Sequence, residues 1–312
     1  MMKKKLLHIA LGNHNTGLWK AFDTHFNTFH YDWSEDSKDI EKVNKKILEL
    51  HKWWKPDVVF MQIQKAGVIS NETAKILTNQ SFTINWTGDV RYPLPKWFVD
   101  LGKNISITLF SNMKDVELSR KEGINSDFLQ VGYDPEIFNC GGLINKTPAI
   151  IFMGSNYINS HSFPLSQFRI DLVRKLHDYY GDDFNVYGGN WEHFVPNSRY
   201  LTTNEESLAY RSCKVAINLS HFNYGRYSSD RILRLMGSGA FCLSHNYDGI
   251  ENDFKIKKHL DTWSNLDQLI TKINDYWSND YKRELIAKEG CKFVLENCTW
   301  DKRMIELKKH IL

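Results

Sequence analysis

The residues whose types and spacing could do chemistry are concentrated between positions 218 and 241. Asn218 closes a short apolar run, and a loop carrying Gly225, Arg226 and Tyr227 follows it. Ser228, Ser229 and Asp230 are N-capping types, and Gly237 and Gly239 stand where a short helix would end before the next strand. A helix N-terminus offers unpaired N–H groups and partial positive charge, which suits a pyrophosphate. Arg226, Arg231 and Arg234 can add guanidinium charge, and a guanidinium grips phosphate oxygens in pairs. The same spacing also describes a surface helix with solvated arginines.

A second set lies in the first half. The run 82–93, Phe-Thr-Ile-Asn-Trp-Thr-Gly-Asp-Val-Arg-Tyr-Pro, is a strand leading into a glycine turn. That turn puts Asp89 beyond the strand's carboxyl end, where a carboxylate could take a proton from a hydroxyl. The bland alternative is an Asx-type turn held by Arg91. His14, in a loop that also holds Gly12 and Asn13, is the alternative base, although a lone loop histidine is more often solvated surface. Tyr187 and Gly188, in the Tyr-Gly-Gly-Asn-Trp run, let the backbone approach a ligand closely or simply make a turn. Trp53, Trp54, Trp86, Trp97 and Trp191 can stack on sugars or bases, but most such residues pack in cores.

These groups need a scaffold, and the chain alternates short apolar runs with amphipathic stretches almost throughout. Strands are expected at 6–11, 28–33, 57–63, 82–86, 105–110 and 127–131. The clearest helix is 39–55, with Ile40, Val43, Ile47, Leu50 and Trp54 on one face, and shorter ones fall at 71–78 and 113–122. A glycine- and proline-bearing polar stretch, 139–148, marks a linker. The alternation restarts with strands at 149–153, 184–187, 215–219 and 241–244 and helices at 165–180, 205–212 and 229–236. Helices at about 266–277, 281–296 and 300–311 close the chain. Alternation of this kind means βαβ units and parallel sheets covered on both faces. The expected class is therefore α/β, with two doubly wound, Rossmann-like domains facing each other across a cleft. The first spans 1–140 and the second 149–298, and a last helix in 299–312 is placed to pack back on the first. Ligands of such sheets sit outside the carboxyl ends of the strands, which selects the loops at 12–17, 64–67, 87–95, 154–162, 188–191 and 220–230.

Composition narrows the class. The chain has 312 residues, 42% hydrophobic and 25% charged, which suits two globular domains and disfavours disorder. A net charge of +3 is too slight to argue for nucleic acid or membrane. The start resembles a signal peptide, but its apolar run contains His8 and lacks a small-residue cleavage site, so a first buried strand is expected. No apolar run approaches the roughly 20 residues that span a bilayer. Five scattered cysteines with no Cys-x-x-Cys pair fit free thiols in a cytoplasmic protein. There is no phosphate-binding P-loop, no His-Glu-x-x-His, no Gly-x-Ser-x-Gly and no Asp-x-Asp after a strand, so no metal is expected.

At 231–240, Arg-Ile-Leu-Arg-Leu-Met-Gly-Ser-Gly-Ala resembles the R-x-F-E-x-M-A-x-G block of the CgeB/YkvP-like and group 1 glycosyltransferases. The order of Trp263, Leu266, Ile270, Tyr276, Arg283, Gly290, Trp300 and Arg303 is similar to that family's closing segment. Residues 128–138, ending Gly-Tyr-Asp-Pro-Glu-Ile-Phe, look like the segment before its interdomain linker, and Gly154-Ser155 resembles the glycine turn that opens its donor domain. The resemblance runs from about 128 to the end. It implies the two-domain GT-B fold and transfer of a sugar from a nucleoside diphosphate sugar, a co-substrate rather than a cofactor. The donor would sit against Gly154, Ser155, Tyr187, Gly188, Asn218, Arg226, Tyr227, Ser228, Ser229, Arg231 and Arg234. The acceptor side would hold Gly12, Asn13 and Arg91, with Asp89 or His14 as base. A glycan, a protein, a small molecule or a hydroxymethylated DNA base all remain open as acceptor. Retaining members carry two glutamates eight residues apart, and Arg226 and Arg234 stand at those positions here. The family's usual ribose contact and its retaining stereochemistry are therefore left open here. A non-catalytic sugar-binding or coat-surface protein of the same fold is the alternative reading.

Overall fold

A computed structural model describes residues 3–12, 17–36, 39–141, 150–157 and 163–311. The chain divides into two compact units, Met1–Gly132 with Trp300–Leu312, and Tyr133–Thr299.

Unit 1 contains, in chain order, β1 (Lys5–Ala10), α1 (Gly17–His25), β2 (Asn27–Asp32), α2 (Ile40–Trp54), β3 (Val58–Met61), α3 (Asn71–Thr78), β4 (Phe82–Thr87), α4 (Lys96–Gly102), β5 (Ile107–Phe110), α5 (Met113–Lys121) and β6 (Ser126–Phe128). Unit 2 contains β7 (Ile150–Met153), α6 (Ser166–Tyr180), β8 (Phe184–Tyr187), α7 (Thr203–Ser212), β9 (Val215–Asn218), α8 (Asp230–Gly237), β10 (Phe241–His245), α9 (Ile250–Asp253), β11 (Asp261–Trp263), α10 (Leu266–Ser278) and α11 (Asp280–Asn297). The last helix, α12 (Trp300–Ile311), returns to unit 1, where Arg303 Nε donates to the Val131 carbonyl at 3.0 Å. There the Trp300 ring also meets Trp86 edge-on at 5.5 Å.

Each unit holds one all-parallel sheet. Unit 1 is ordered β2-β1-β3-β4-β5-β6 and unit 2 β11-β10-β9-β7-β8. Counted within each unit, both sheets share the order 2-1-3-4-5, and unit 1 adds a sixth strand. The central strands β3, β5, β7 and β9 are buried at every residue, as a sheet covered on both faces requires. The edge strands β2, β6 and β8 are not.

The helices form where their sequences begin and end them. Asp39 caps α2 by accepting from the Lys42 N–H, and Val43, Ile47 and Leu50 form its buried stripe, each worth about 2 kcal/mol of burial. Lys55 then turns left-handed and Pro56 prevents continuation. Thr202 and Glu205 make a reciprocal capping box on α7. The expected strands and helices are present with ends moved by up to three residues, whereas α1, α4 and α9 carry no strong sequence signal. The stretch 142–149, which includes most of the expected linker, lies outside the described residues. All five cysteines are free thiols, Cys140 exposed and the others buried. Among the described residues no helix is long and apolar enough to cross a membrane.

Candidate active site

In an open parallel sheet the ligand crevice opens where the strand order reverses. In unit 2 that point lies between β7 and β9, whose carboxyl ends run into Gly154-Ser155 and Leu219-Ser220-His221. Arg169, on the first turn of α6, spans it. One guanidinium nitrogen donates to the Leu219 carbonyl and the other to the Ser155 carbonyl at 3.1 Å. The side chain is 1% exposed, lies over the Phe152 ring at 4.9 Å, and its Nε has no hydrogen-bond partner. Gly154 permits this: its φ is +142°, and a Cβ there would stand 2.6 Å from the Arg169 guanidinium. No carboxylate pairs with Arg169 among the described residues. Burial first, and then the Arg231 charge, push its pKa well down.

Arg231, at the start of α8, makes no hydrogen bond or ion pair among the described residues, although its charge reaches Glu206 at longer range. His221 completes the group. Burial, then Arg169 and Arg231, bring its pKa down to about 3, so the ring is neutral at ordinary pH. It meets Tyr157 edge-on at 4.9 Å and Phe163 at 4.8 Å, and its Nδ1 has no partner. Two guanidiniums without carboxylates and a neutral imidazole thus surround the crevice at the amino end of α8. Such a place suits an anion.

The surrounding residues divide into those turned to this crevice and those committed elsewhere. Ser229 caps α8 by position but makes no side-chain capping bond, and its Oγ is buried without a partner. Asn218 donates to Ser244 Oγ at 2.9 Å and leaves its Oδ1 unpaired. Ser228 is buried against the Tyr247 hydroxyl, and Tyr227 packs edge-on to Phe222 at 5.8 Å. Arg226, held left-handed at φ 58°, grips Asp253 with two nitrogens at 2.7 and 3.3 Å. Arg234 pairs with Asp230 at 2.6 Å and Glu206 at 3.2 Å and covers Phe138 at 5.2 Å. These two arginines neutralise carboxylates of their own unit, Glu206 among them, whose pKa burial raises and Arg234 lowers.

Tyr187 and Gly188 shape the turn beside Arg169. The Gly154 N–H donates to the Tyr187 carbonyl at 2.8 Å, and a Cβ on Gly188 would fall 2.6 Å from the Gly154 carbonyl carbon. Ser155 Oγ accepts from the Gly189 N–H at 3.2 Å, and the Trp191 indole donates to the Gly154 carbonyl at 2.6 Å. Trp191 is therefore a core residue bracing the turn.

In unit 1 the order reverses between β1 and β3. Gly12 there donates to Asp32 Oδ1 at 2.9 Å, whereas Asn13 and His14 lie outside the described residues. Beyond β4, Asp89 has a side chain 74% exposed and paired with Arg91 at 3.4 Å. Arg91 is a brace: its Nε donates to Thr87 Oγ1 at 3.0 Å, Nη1 to the Gln64 carbonyl at 3.2 Å, and its backbone N–H to Asp115 at 2.6 Å. The loops after β3 and β4 are thereby tied together, with Asp89 presented outward from them.

Residues 169–309 match the family described as glycosyl transferase-like. No curated protein sequence matches the chain. Solved structures share its whole architecture. A sucrose-phosphate synthase from Thermosynechococcus elongatus superposes with a TM-score of 0.71 over 98% of both chains at 8% identity. A glycosyltransferase from Rickettsia africae gives 0.68 over 99% of this chain and 98% of that one at 13% identity. Anabaena HepE, in complex with UDP and glucose, gives 0.68 over 99% and 100% at 9% identity.

The fold is GT-B. At these identities the likeness is one of fold, and within this GT-B chain the glycosyl transferase-like match covers most of unit 2 and begins at Arg169 itself. Arg169 and His221 are absent from the set picked out by sequence. Arg169 had a readable signal: it shares a helical stripe with Leu172, Val173 and Leu176, all buried, where a charged residue is out of place. His221 offers no such signal, because only packing makes its neutrality visible.

Proposed function

We propose that the chain moves a sugar from a nucleoside diphosphate sugar to an acceptor hydroxyl, with the diphosphate held by Arg169, Arg231 and the amino end of α8. The observation that carries this reading is Arg169. Taking a guanidinium out of water costs several kcal/mol unless charge repays it, and the described residues offer it two carbonyls and the Phe152 ring but no carboxylate. A bound diphosphate supplies the missing charge. As the bond from the anomeric carbon to the diphosphate breaks, negative charge grows on the leaving oxygen, and fixed guanidiniums stabilise it without reorganising. Neutral His221 can donate a hydrogen bond to the same group. The glycosyl transferase-like match and the UDP and glucose held by HepE support this assignment. With arginine charge in that role the reaction requires no divalent ion, so a chelator leaves the rate unchanged.

Asp89 is the proposed base. Displacement needs the acceptor proton to leave as oxygen attacks, and an exposed carboxylate steadied by Arg91 suits that task. A glycan, a protein or a hydroxymethylated DNA base each presents such a hydroxyl. The test is a panel of UDP-, GDP- and ADP-sugars, read as thermal stabilisation and as slow donor hydrolysis. One nucleotide series is expected to raise the melting temperature by several degrees and be hydrolysed. No response to any donor would refute the proposal. An Asp89→Asn variant should lose about a hundredfold or more in kcat while keeping donor affinity.

A further inference from the structure

We propose that the amino-terminal edge of the unit 1 sheet docks on an anionic lipid bilayer, an inference independent of the glycosyl-transfer reading. A cavity of about 860 Å³ opens at this edge, lined by residues that precede β1, β3, β4 and β5. Lys4, Lys52 and Lys55 face it against a single lining carboxylate, Asp57, whose Oδ2 already accepts the Lys5 N–H at 2.7 Å. Lys3 and Lys5 are exposed on the same strand end. The ammonium groups of Lys3, Lys4 and Lys5 donate to the backbone carbonyls of Asp23, Ile311 and Trp54 and not to carboxylates. The edge thus gathers positive charge that the small net charge of the whole chain conceals.

Aromatic surface stands beside it. Helix α2 ends in His51-Lys52-Trp53-Trp54 and is stopped by left-handed Lys55, which leaves Trp53 at the corner, 64% exposed. Trp53 meets Phe29 edge-on at 5.3 Å and Trp54 at 5.5 Å, and Lys5 Nζ lies 5.0 Å from the Trp54 ring centre. An indole with an apolar body and one N–H settles at the headgroup level of a bilayer, and flanking lysines reach the phosphates there. Each lysine close to an anionic surface strengthens binding by about fivefold. A nucleic acid would satisfy the lysines but would leave the cluster of Trp53, Trp54 and Phe29 with nothing apolar to enter, which favours the bilayer. The carboxyl ends of the same strands, beyond which Gly12 and Asp89 lie, are at the opposite edge of the sheet.

The experiment is flotation of the full chain with vesicles of 70% phosphatidylcholine and 30% phosphatidylglycerol, against vesicles of phosphatidylcholine alone. Binding is expected only to the anionic vesicles and is expected to fall in 500 mM salt. A Lys52→Glu/Lys55→Glu double variant should bind at least about 25-fold more weakly. Trp53→Ala, with every lysine kept, should bind several-fold more weakly. Both variants should melt within 2 °C of the parent, since these side chains are exposed. No binding to anionic vesicles, binding indifferent to the lysine pair or to Trp53, or tighter lysine-dependent binding to a 30-base-pair DNA duplex would each overturn the proposal.

Discussion

Replacing Arg169 by methionine separates a ligand-binding arginine from a structural one. Methionine keeps the apolar contact over Phe152 and removes the charge. Without ligand, two effects oppose each other. The buried guanidinium no longer pays several kcal/mol of desolvation, while the Leu219 and Ser155 carbonyls each lose a donor at about 1–3 kcal/mol. The two nearly cancel, so the unfolding free energy of the free protein should change by no more than about 2 kcal/mol, in either direction. In the complex nothing cancels. Loss of a charge-assisted contact to the diphosphate costs about 2–3 kcal/mol, or about 30- to 150-fold in Kd. Urea unfolding of the free variant and calorimetric titration with the preferred nucleoside diphosphate measure the two quantities. A variant destabilised by more than about 4 kcal/mol that binds nucleotide as tightly as the parent would mean that Arg169 is only a brace between β7 and β9.

Arg231→Met should leave stability within about 0.5 kcal/mol of the parent, because the side chain has no partner to lose, and should weaken nucleotide binding by tenfold or more, read by the same titration. Arg234→Glu should destabilise unit 2 by about 2–4 kcal/mol, since the new carboxylate would face Glu206 and Asp230; a melting curve checks it. Gly188→Ala should cost about 2 kcal/mol or more, because its φ of +133° and the Gly154 backbone exclude a Cβ, and urea unfolding reports it. His8 is buried on β1 between His30 and Gln62, at 2.9 and 3.0 Å, and burial brings its pKa down to about 3. The unfolded chain therefore binds more protons below pH 6.5, so this stability is present above 6.5 and is lost as pH falls toward 3. The loss is about 2 kcal/mol by pH 5. His8→Leu should flatten the stability difference between pH 7 and pH 5 by about that amount in urea titrations at the two pH values.

The alternation of apolar runs carried the fold, because a parallel sheet buried on both faces writes itself as short continuous strands between amphipathic helices. α2 was readable to its caps, Asp39 and Lys55. α1 was not, since it opens at a glycine, Gly17, without a strong capping signal, and α4 was masked by the prolines before it. The crevice was legible as a place, the loop between β9 and α8, but not as a charge distribution. Arg226, Arg231 and Arg234 look alike in sequence, and what distinguishes them is who pairs with them. Asp253 is 27 residues from Arg226 and Glu206 is 28 from Arg234, distances at which sequence gives no hint of an ion pair. Those pairs commit two arginines to carboxylates and leave Arg231 and Arg169 without one among the described residues. Asp89 and Arg91 were readable together because they are neighbours in the chain, whereas the ties from Arg91 to Gln64 and Asp115 that fix the loop come only with the fold.

The central claim is that the donor diphosphate lies on Arg169 and Arg231, and a crystal structure with the nucleotide sugar that most stabilises the protein tests it most directly. The expected result is phosphate oxygens within hydrogen-bond reach of the Arg169 and Arg231 guanidiniums and of the amino end of α8, beside the Gly154–Ser155 turn. Phosphates gripped by Arg226 or Arg234 after release of their carboxylates, or a nucleotide bound away from the β7–β9 switch point, would contradict it.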